Sequence, residues 1–471
     1  MERLKKVGQL IPKSSLSIKE SKIGLGFEKL DRDVFDPEKA YEHVAKTGVK
    51  WARLQSGWQR TEKEKGVYDF EWLDKVVDNM IAIGVEPWLC LCYGNELYSE
   101  EAKKYFGAVG IPPIKTEEEK EAWRNYVAAT VEHFKGRIHY YEVWNEPDGE
   151  WCWKYGSNPV ELAEFTKETA IVCKKTDPQC EVIGLTLCWS EDFATEFAKT
   201  GVLDYIDGVS YHTYSIDEEV WKNRILFFEK MREEYNKPNL KIFQGESGTQ
   251  SRSDGAGALR GGAWTQKKQA KFLLRHLITD IAYRVEFASY FSCMDMIEAL
   301  NGEKGKVASY LDYGYFGVLG AEFDENGRSI GTYAPKLSYY ALQNLCSVLS
   351  EKYENSALLM EGMICDSIRV QGCDLDFSET SHYAFSRENG SYAMFYWVPK
   401  NILTETYEGT VSLKLGEELR GKQIHLADLE NGTVYELSKD MIQEDGVLRN
   451  IPVTDVPLML IFDDFCDWEK I

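Results

Sequence analysis

Two short stretches place a glutamate where a carboxylate is costly. In "YYEVWNEPDGEWCW" (residues 140–153) Glu146 follows Asn145 at the end of an apolar run, and in "KIFQGESG" (residues 241–248) Glu246 closes another. A buried carboxylate is expensive to desolvate unless it is paired or used. Two of them converging on one site have a clear use: one protonates a departing oxygen while the other attacks the carbon it leaves, which is the equipment of glycosidic bond cleavage. A carboxyl separation near ~5 Å would mean direct attack by the second group and retention of configuration.

The elements that must hold such a pair can be read from the pattern. Strand-like runs at 22–28, 49–55, 86–94, 139–145, 180–188, 207–214, 240–247 and 286–293 alternate with helix-like stretches such as 36–48, 70–84, 117–136 and 217–235, the first opening on an Asp36 cap followed by Pro37. Eight strands alternating with helices predict a (β/α)₈ barrel, an α/β fold whose functional groups gather at the C-terminal ends of the strands. There lie Glu28, Arg53, Tyr93, Asn95, Asn145, Glu146, His212, Tyr214, Glu246 and Asp295. Strands four and seven, which carry the two glutamates, face each other across such a barrel.

The texture changes after the helical stretch 334–350. From about residue 362, short alternating runs separated by "ENG" and "YEG" turns predict a smaller antiparallel β-sandwich. The expected division is a catalytic barrel over 1–350 and an accessory sandwich over 351–471. No low-complexity linker separates them, so firm packing is expected.

Composition narrows the partners. A formal net charge of -22 argues against nucleic acid and anionic membrane. No continuous apolar run is long enough to span a bilayer, and the first residues lack a secretory pattern, so a soluble, cytoplasmic protein is expected. Eleven cysteines, several inside strand-like runs, read as buried small hydrophobes in a reducing compartment. No zinc-type Cys/His spacing and no H-x-H pair occurs, so neither a metal nor another cofactor is expected, and a metal-dependent isomerase or amidohydrolase is disfavoured. The expected partner is a small glycoside or short oligosaccharide; association into a homo-oligomer is left open.

"VWNEPD" ending the fourth strand and "FQGESG" ending the seventh, with Arg53 in the second and "YHTY" in the sixth, resemble the catalytic pattern of the clan A glycoside hydrolases. Within the clan, "GFEKLDRDVF", "GWQRTEKEKGVYDFEWLDKVVDNM" and the appended β domain resemble glycoside hydrolase family 39, the β-xylosidase and α-L-iduronidase family. The resemblance implies that Glu146 is the acid/base and Glu246 the nucleophile. It implies an exo-acting, retaining enzyme for β-linked or equatorial α-L sugars, β-xylosidase-like, with β-galactosidase, β-glucosidase or α-L-arabinosidase specificity as alternatives. Clan members commonly present a tryptophan on the eighth strand under the reacting sugar; here Phe291 and Cys293 stand in that region. A non-catalytic carbohydrate-binding barrel is the competing class, and it has no reason to keep two opposed carboxylates.

The residues suggest how the parts share the work. A low-dielectric pocket and the charge of Glu246 should raise the Glu146 carboxyl so that it carries a proton, and loss of that charge in the glycosyl ester should let it act as base afterwards. Asn145 is placed for the sugar 2-hydroxyl. Glu246 needs donors, for which Arg53, Tyr214 and His212 are candidates. Tyr93, Trp151 and Trp264, with Trp58, Trp88, Trp153 and Trp189, are candidate sugar platforms, although core packing accounts for most aromatics. The glycine-rich segment 249–265 is a candidate lid.

Overall fold

Short apolar segments of Val, Ile, Leu and aromatic residues, bounded by turn residues, become strands buried on both faces, as parallel barrel strands must be. In the computed structural model these are β2 (Ile23–Gly26), β3 (Trp51–Gln55), β4 (Glu86–Leu91), β5 (Tyr140–Val143), β6 (Glu181–Leu187), β7 (Gly208–His212), β8 (Lys241–Ser247) and β9 (Ala288–Tyr290), closed in that order into an eight-stranded parallel barrel. Each lies within one of the eight predicted segments. A further strand, β1 (Lys5–Leu10), precedes them. The structure describes residues 4–298, 302–306, 312–356, 364–370, 373–375, 380–442 and 446–471, the side chains of 364–370, 373–375 and 414 excepted.

Helices on the outside begin at caps written in the sequence. Thr116 and Glu119 form a reciprocal capping box for Glu117–Phe134, Asn158 caps Pro159–Thr176, and Asp217 caps Glu218–Glu234. The Asp36–Pro37 signal opens a 3₁₀ turn, Pro37–Lys39, before the first helix Tyr41–Thr47. The base of the barrel is sealed by aromatic packing of Trp51, Trp88, Tyr140, Phe243 and Phe287, with Trp51 stacked on Phe287 at 4.2 Å. The opposite end carries the polar groups.

The C-terminal region is the expected antiparallel sandwich. An eight-stranded sheet runs in the order 354–355, 381–386, 392–397, 458–462, 424–428, 433–436, 5–10, 468–470, and a four-stranded sheet in the order 373–375, 364–370, 408–414, 447–454. Met394, Tyr396, Leu426 and Leu460 of the first meet Val411, Leu413, Leu448 and Ile451 of the second in a common core. β1 adds to the larger sheet between 433–436 and 468–470, so the β unit takes its seventh strand from the start of the chain. The division at residue 350 missed this because "KKVGQL" is too short and too exposed to announce a strand without its partners. The other face of the large sheet packs on the barrel helices, Phe385, Phe395 and Trp397 joining Ile278, Ile281 and Leu342 in one cluster.

Candidate active site

β5 ends in a turn that aims Glu146. Trp144 and Glu146 take φ of 66° and 43°, a left-handed conformation that costs a non-glycine residue on the order of 1–3 kcal/mol each and persists where surrounding structure enforces it. Trp144 is locked by an indole N–H donated to Cys152 O at 2.7 Å and by packing against Trp123, Trp153 and Phe165. Glu246 needs no such turn: it lies within β8, in register with His212 of β7.

Arg53, fully buried on β3, organises the floor. It donates to Glu246 Oε1 at 2.6 Å, to Glu142 Oε2 at 2.6 Å, to Asn145 Oδ1 at 2.8 Å and, more loosely, to Glu28 Oε1 at 3.4 Å. The second Glu246 oxygen accepts from the Tyr214 hydroxyl at 2.8 Å. Burial, with the Glu246 and Glu146 carboxylates, pushes that phenol far above its ordinary value, so it stays a donor. Glu142 also accepts from Thr186 Oγ1 at 2.8 Å. Burial opposes its charge, but Arg53 above all, with His212 and Thr186, holds it below the usual carboxylate value.

Glu146 sits in different company. Its Oε1 lies 2.8 Å from His212 Nδ1, and its Oε2 accepts the Trp151 indole N–H. His212 Nδ1 is also 3.5 Å from Glu246 Oε2. Burial pushes the Glu146 carboxyl up, yet the His212 and Trp151 contacts outweigh it, and the group lies below its ordinary value. That is opposite to the expectation from sequence. The expectation weighed burial and Glu246 without the imidazole that the fold slides against Glu146.

These groups open on a cavity of about 650 Å³, lined among others by Glu28, Tyr93, Asn145, Glu146, Trp151, Tyr214 and Glu246. His212 is buried behind it and touches Glu146 rather than the cavity. Trp264 is not on its wall: the ring is buried and its N–H is donated to Leu259 O at 2.7 Å, which leaves no face for a sugar. Trp58, Trp88 and Trp153 are core, whereas Trp189 is 65% exposed, meets Trp151 edge-on at 5.6 Å and lines the cavity. Phe291 and Phe316, 5.4 Å apart, form the apolar floor, and Cys293 is buried away from it. Asp295 pairs with Lys336 at 2.6 Å, and Asn95 caps its own loop by accepting from Leu97 N. Residues 257–260 of the glycine-rich segment form one wall, tied by Gln250 to Ala256 O and Ala258 O.

Several groups escaped the sequence reading. Glu142 could have been found as a charged residue at an inward strand position four residues before Glu146. Asp148 accepts from the backbone N–H groups of Cys188, Trp189 and Ser190 at 2.8, 2.8 and 2.9 Å and so fixes the loop that carries Trp189; nothing local signals that. Lys29, Arg32, Gln55 and Glu298 also line the cavity.

Glu146, His212 and Glu246 bring three ligand-type atoms within 4.8 Å of one another. As a metal site the set fits poorly, because the Trp151 N–H, the Tyr214 hydroxyl and the Arg53 guanidinium already point at the carboxylate oxygens an ion would need. The same distances suit a carboxyl pair acting on one atom.

The family model for glycosyl hydrolases family 39 matches residues 34–246, a span that contains Arg53, Glu146 and ends on Glu246. The chain is 29% identical over 164 residues to a β-xylosidase of Geobacillus stearothermophilus, covering 32% of this chain and 31% of that one. It is 27% identical over 190 residues to a β-xylosidase of Caldicellulosiruptor saccharolyticus, covering 36% and 37%. The matches therefore span about a third of these relatives. Among solved structures, a family 39 β-xylosidase from Caulobacter crescentus aligns over 98% of both chains at a TM-score of 0.56 and 17% identity, a likeness of fold from the barrel through the sandwich.

Proposed function

We propose that the chain is a glycoside hydrolase of the family 39 type, a retaining, exo-acting glycosidase of β-xylosidase type that cleaves β-linked sugars or their equatorial α-L equivalents, supported by the family model and the β-xylosidase likeness. The observation that carries this reading is the opposition of Glu146 and Glu246 oxygens within 4.8 Å, each on its own set of donors. That spacing belongs to direct attack; an interposed water would need about 6.5–9.5 Å.

In this mechanism Glu246, oriented by Arg53 and Tyr214, attacks the anomeric carbon and becomes a glycosyl ester. Glu146 gives a proton to the leaving oxygen, and His212 Nδ1, 2.8 Å from its Oε1, orients the carboxyl for that transfer. Loss of the Glu246 charge on ester formation then leaves Glu146 free to take a proton from water, whose attack releases the sugar with its configuration kept. Asn145, oriented by Arg53, meets the 2-hydroxyl. The cavity walled by Phe291, Phe316 and residues 257–260 supports a terminal sugar rather than the middle of a polymer.

The phenylalanine floor leaves β-galactoside, β-glucoside and α-L-arabinoside specificities as the second reading. The reading asks for no macromolecular partner. No helix among the described residues is long and apolar enough to cross a membrane. The nine cysteines whose side chains are described are unpaired, which supports a reducing, cytoplasmic setting.

Turnover of an aryl glycoside panel, followed by NMR for the first anomer formed, tests the proposal. Release of the β-anomer first from a β-xyloside is expected. The α-anomer first, or no turnover on any glycoside, overturns it.

A further inference from the structure

The floor of the site does not balance its charges. One cation, Arg53, faces three carboxylates, Glu28, Glu142 and Glu246, and none of the four side chains is more than 9% exposed. Two of the acids are well served: Glu142 by Arg53 and Thr186, Glu246 by Arg53 and Tyr214. Glu28 receives the long 3.4 Å contact, and its Oε2 has no partner although the residue is fully buried and lines the cavity. The groups that face it are Arg53 on β3, Glu246 on β8, the Cys293 thiol beyond β9 and, without a direct contact, the Lys29 ammonium. The neighbouring Lys29 is turned to Ile297 O at 2.9 Å and Glu298 at 3.7 Å. Three buried anions on one guanidinium would leave a net charge in a dry site, which neutralises by taking up a proton. The group with the weakest donors takes it.

We propose that Glu28 is held as an uncharged carboxylic acid in the resting protein and that its free oxygen is a hydrogen-bonding contact for a hydroxyl of the sugar in the cavity, which makes it a specificity-determining residue. The inference rests on the glycosidase reading for the nature of the ligand. Burial, and then the charge of Glu246, push the Glu28 carboxyl up to about 8 against the pull of Arg53, in line with the charge count. The sequence makes room for it: a Cβ at Gly26 would collide with Glu28 Oε2. A neutral acid can donate as well as accept, so it can meet a hydroxyl that a carboxylate could only accept from.

The experiment uses the full chain and compares wild type, Glu28→Gln and Glu28→Ala. Isotope-edited infrared spectra at neutral pH should show a protonated carboxyl band in wild type that Glu28→Gln lacks; a carboxylate band lost instead would overturn the protonation state whatever the turnover. With an aryl glycoside and its monodeoxy analogues, Glu28→Ala should lose about 10- to 100-fold in kcat/KM on the parent. That loss should vanish for the one analogue lacking the contacted hydroxyl. Glu28→Gln, neutral and of the same shape, should stay within about tenfold and shift the alkaline limb of the pH profile. An equal loss on every analogue, or a Glu28→Gln variant as impaired as Glu28→Ala, would overturn the contact. A wild type that hydrolyses no glycoside would sink the glycosidase reading instead, leaving the infrared result to decide the state of Glu28.

Discussion

Two of the buried charge clusters among the described residues are built on opposite principles. At the seam between barrel and sandwich, Arg275 and Lys271 meet Glu218 and Asp455, two charges of each sign. Every bond there is closed: Glu218 accepts from Arg275, the Trp397 indole and Ser381, while Arg275 also donates to Lys400 O and Asp455 O. None of these four residues has a buried polar atom without a partner. At the mouth of the barrel one Arg53 faces three acids, and Glu28 Oε2 and His212 Nε2 are left open. The balanced cluster fixes the two units together. The unbalanced one stores an unmet demand for hydrogen-bonding partners and protons, which a substrate can satisfy.

The sharpest break in that contrast is Glu246→Ala. If the mouth is organised for reaction, turnover should fall by about 10⁴-fold or more, because the nucleophile of a covalent route has no substitute. The melting temperature should hold or rise, since an excess carboxylate has been removed from beside Glu28. Added azide should restore product as the α-glycosyl azide, formed by a single displacement from the face that Glu246 would have attacked. A variant that keeps wild-type rates, or one that unfolds, would place Glu246 with the structural cluster.

Glu146→Ala tests the other half of the pair through the leaving group. General acid assistance is worth about 10²- to 10⁴-fold. Natural glycosides should lose that much and a dinitrophenyl glycoside far less, with the glycosyl ester on Glu246 accumulating. Equal losses on both substrates would assign the acid elsewhere.

At the seam the signs reverse. Arg275→Met leaves Glu218 without its cation and several carbonyls without their donor, so stability should fall by about 3–5 kcal/mol in denaturant titration. The turnover of the folded fraction should be unchanged, since none of these residues lines the cavity. A loss of kcat with full stability would show that the seam feeds the active site.

The barrel was legible because its strands are apolar on both faces and its helices carry local caps such as Thr116 with Glu119. Glu146 and Glu246 were legible because a carboxylate ending such a strand contradicts its surroundings. What failed depended on distant chain. β1 shows itself as a strand only beside 433–436 and 468–470. Trp264 resembles Trp151 in sequence, and only the loop bond to Leu259 turns it into core. The direction in which the Glu146 carboxyl moves depends on an imidazole 66 residues away.

The smallest expected effect tests whether the imbalance at the mouth is real, and it needs no substrate. In the folded protein Glu28 keeps its proton up to about 8, while in the unfolded chain it titrates near 4.5. Between those values the folded state binds one more proton than the unfolded state, so its contribution to stability is full below 4.5 and is lost as pH rises toward 8. Glu28→Gln has no such dependence, and other groups cancel in the difference between the two proteins. The variant should therefore gain about 2 kcal/mol on wild type between about pH 6 and pH 8, with little further gain above. Denaturant titrations of both proteins across that range would measure it. Parallel curves would mean that Glu28 is ionised in the fold, and that Arg53 supports three carboxylates as comfortably as the seam supports two.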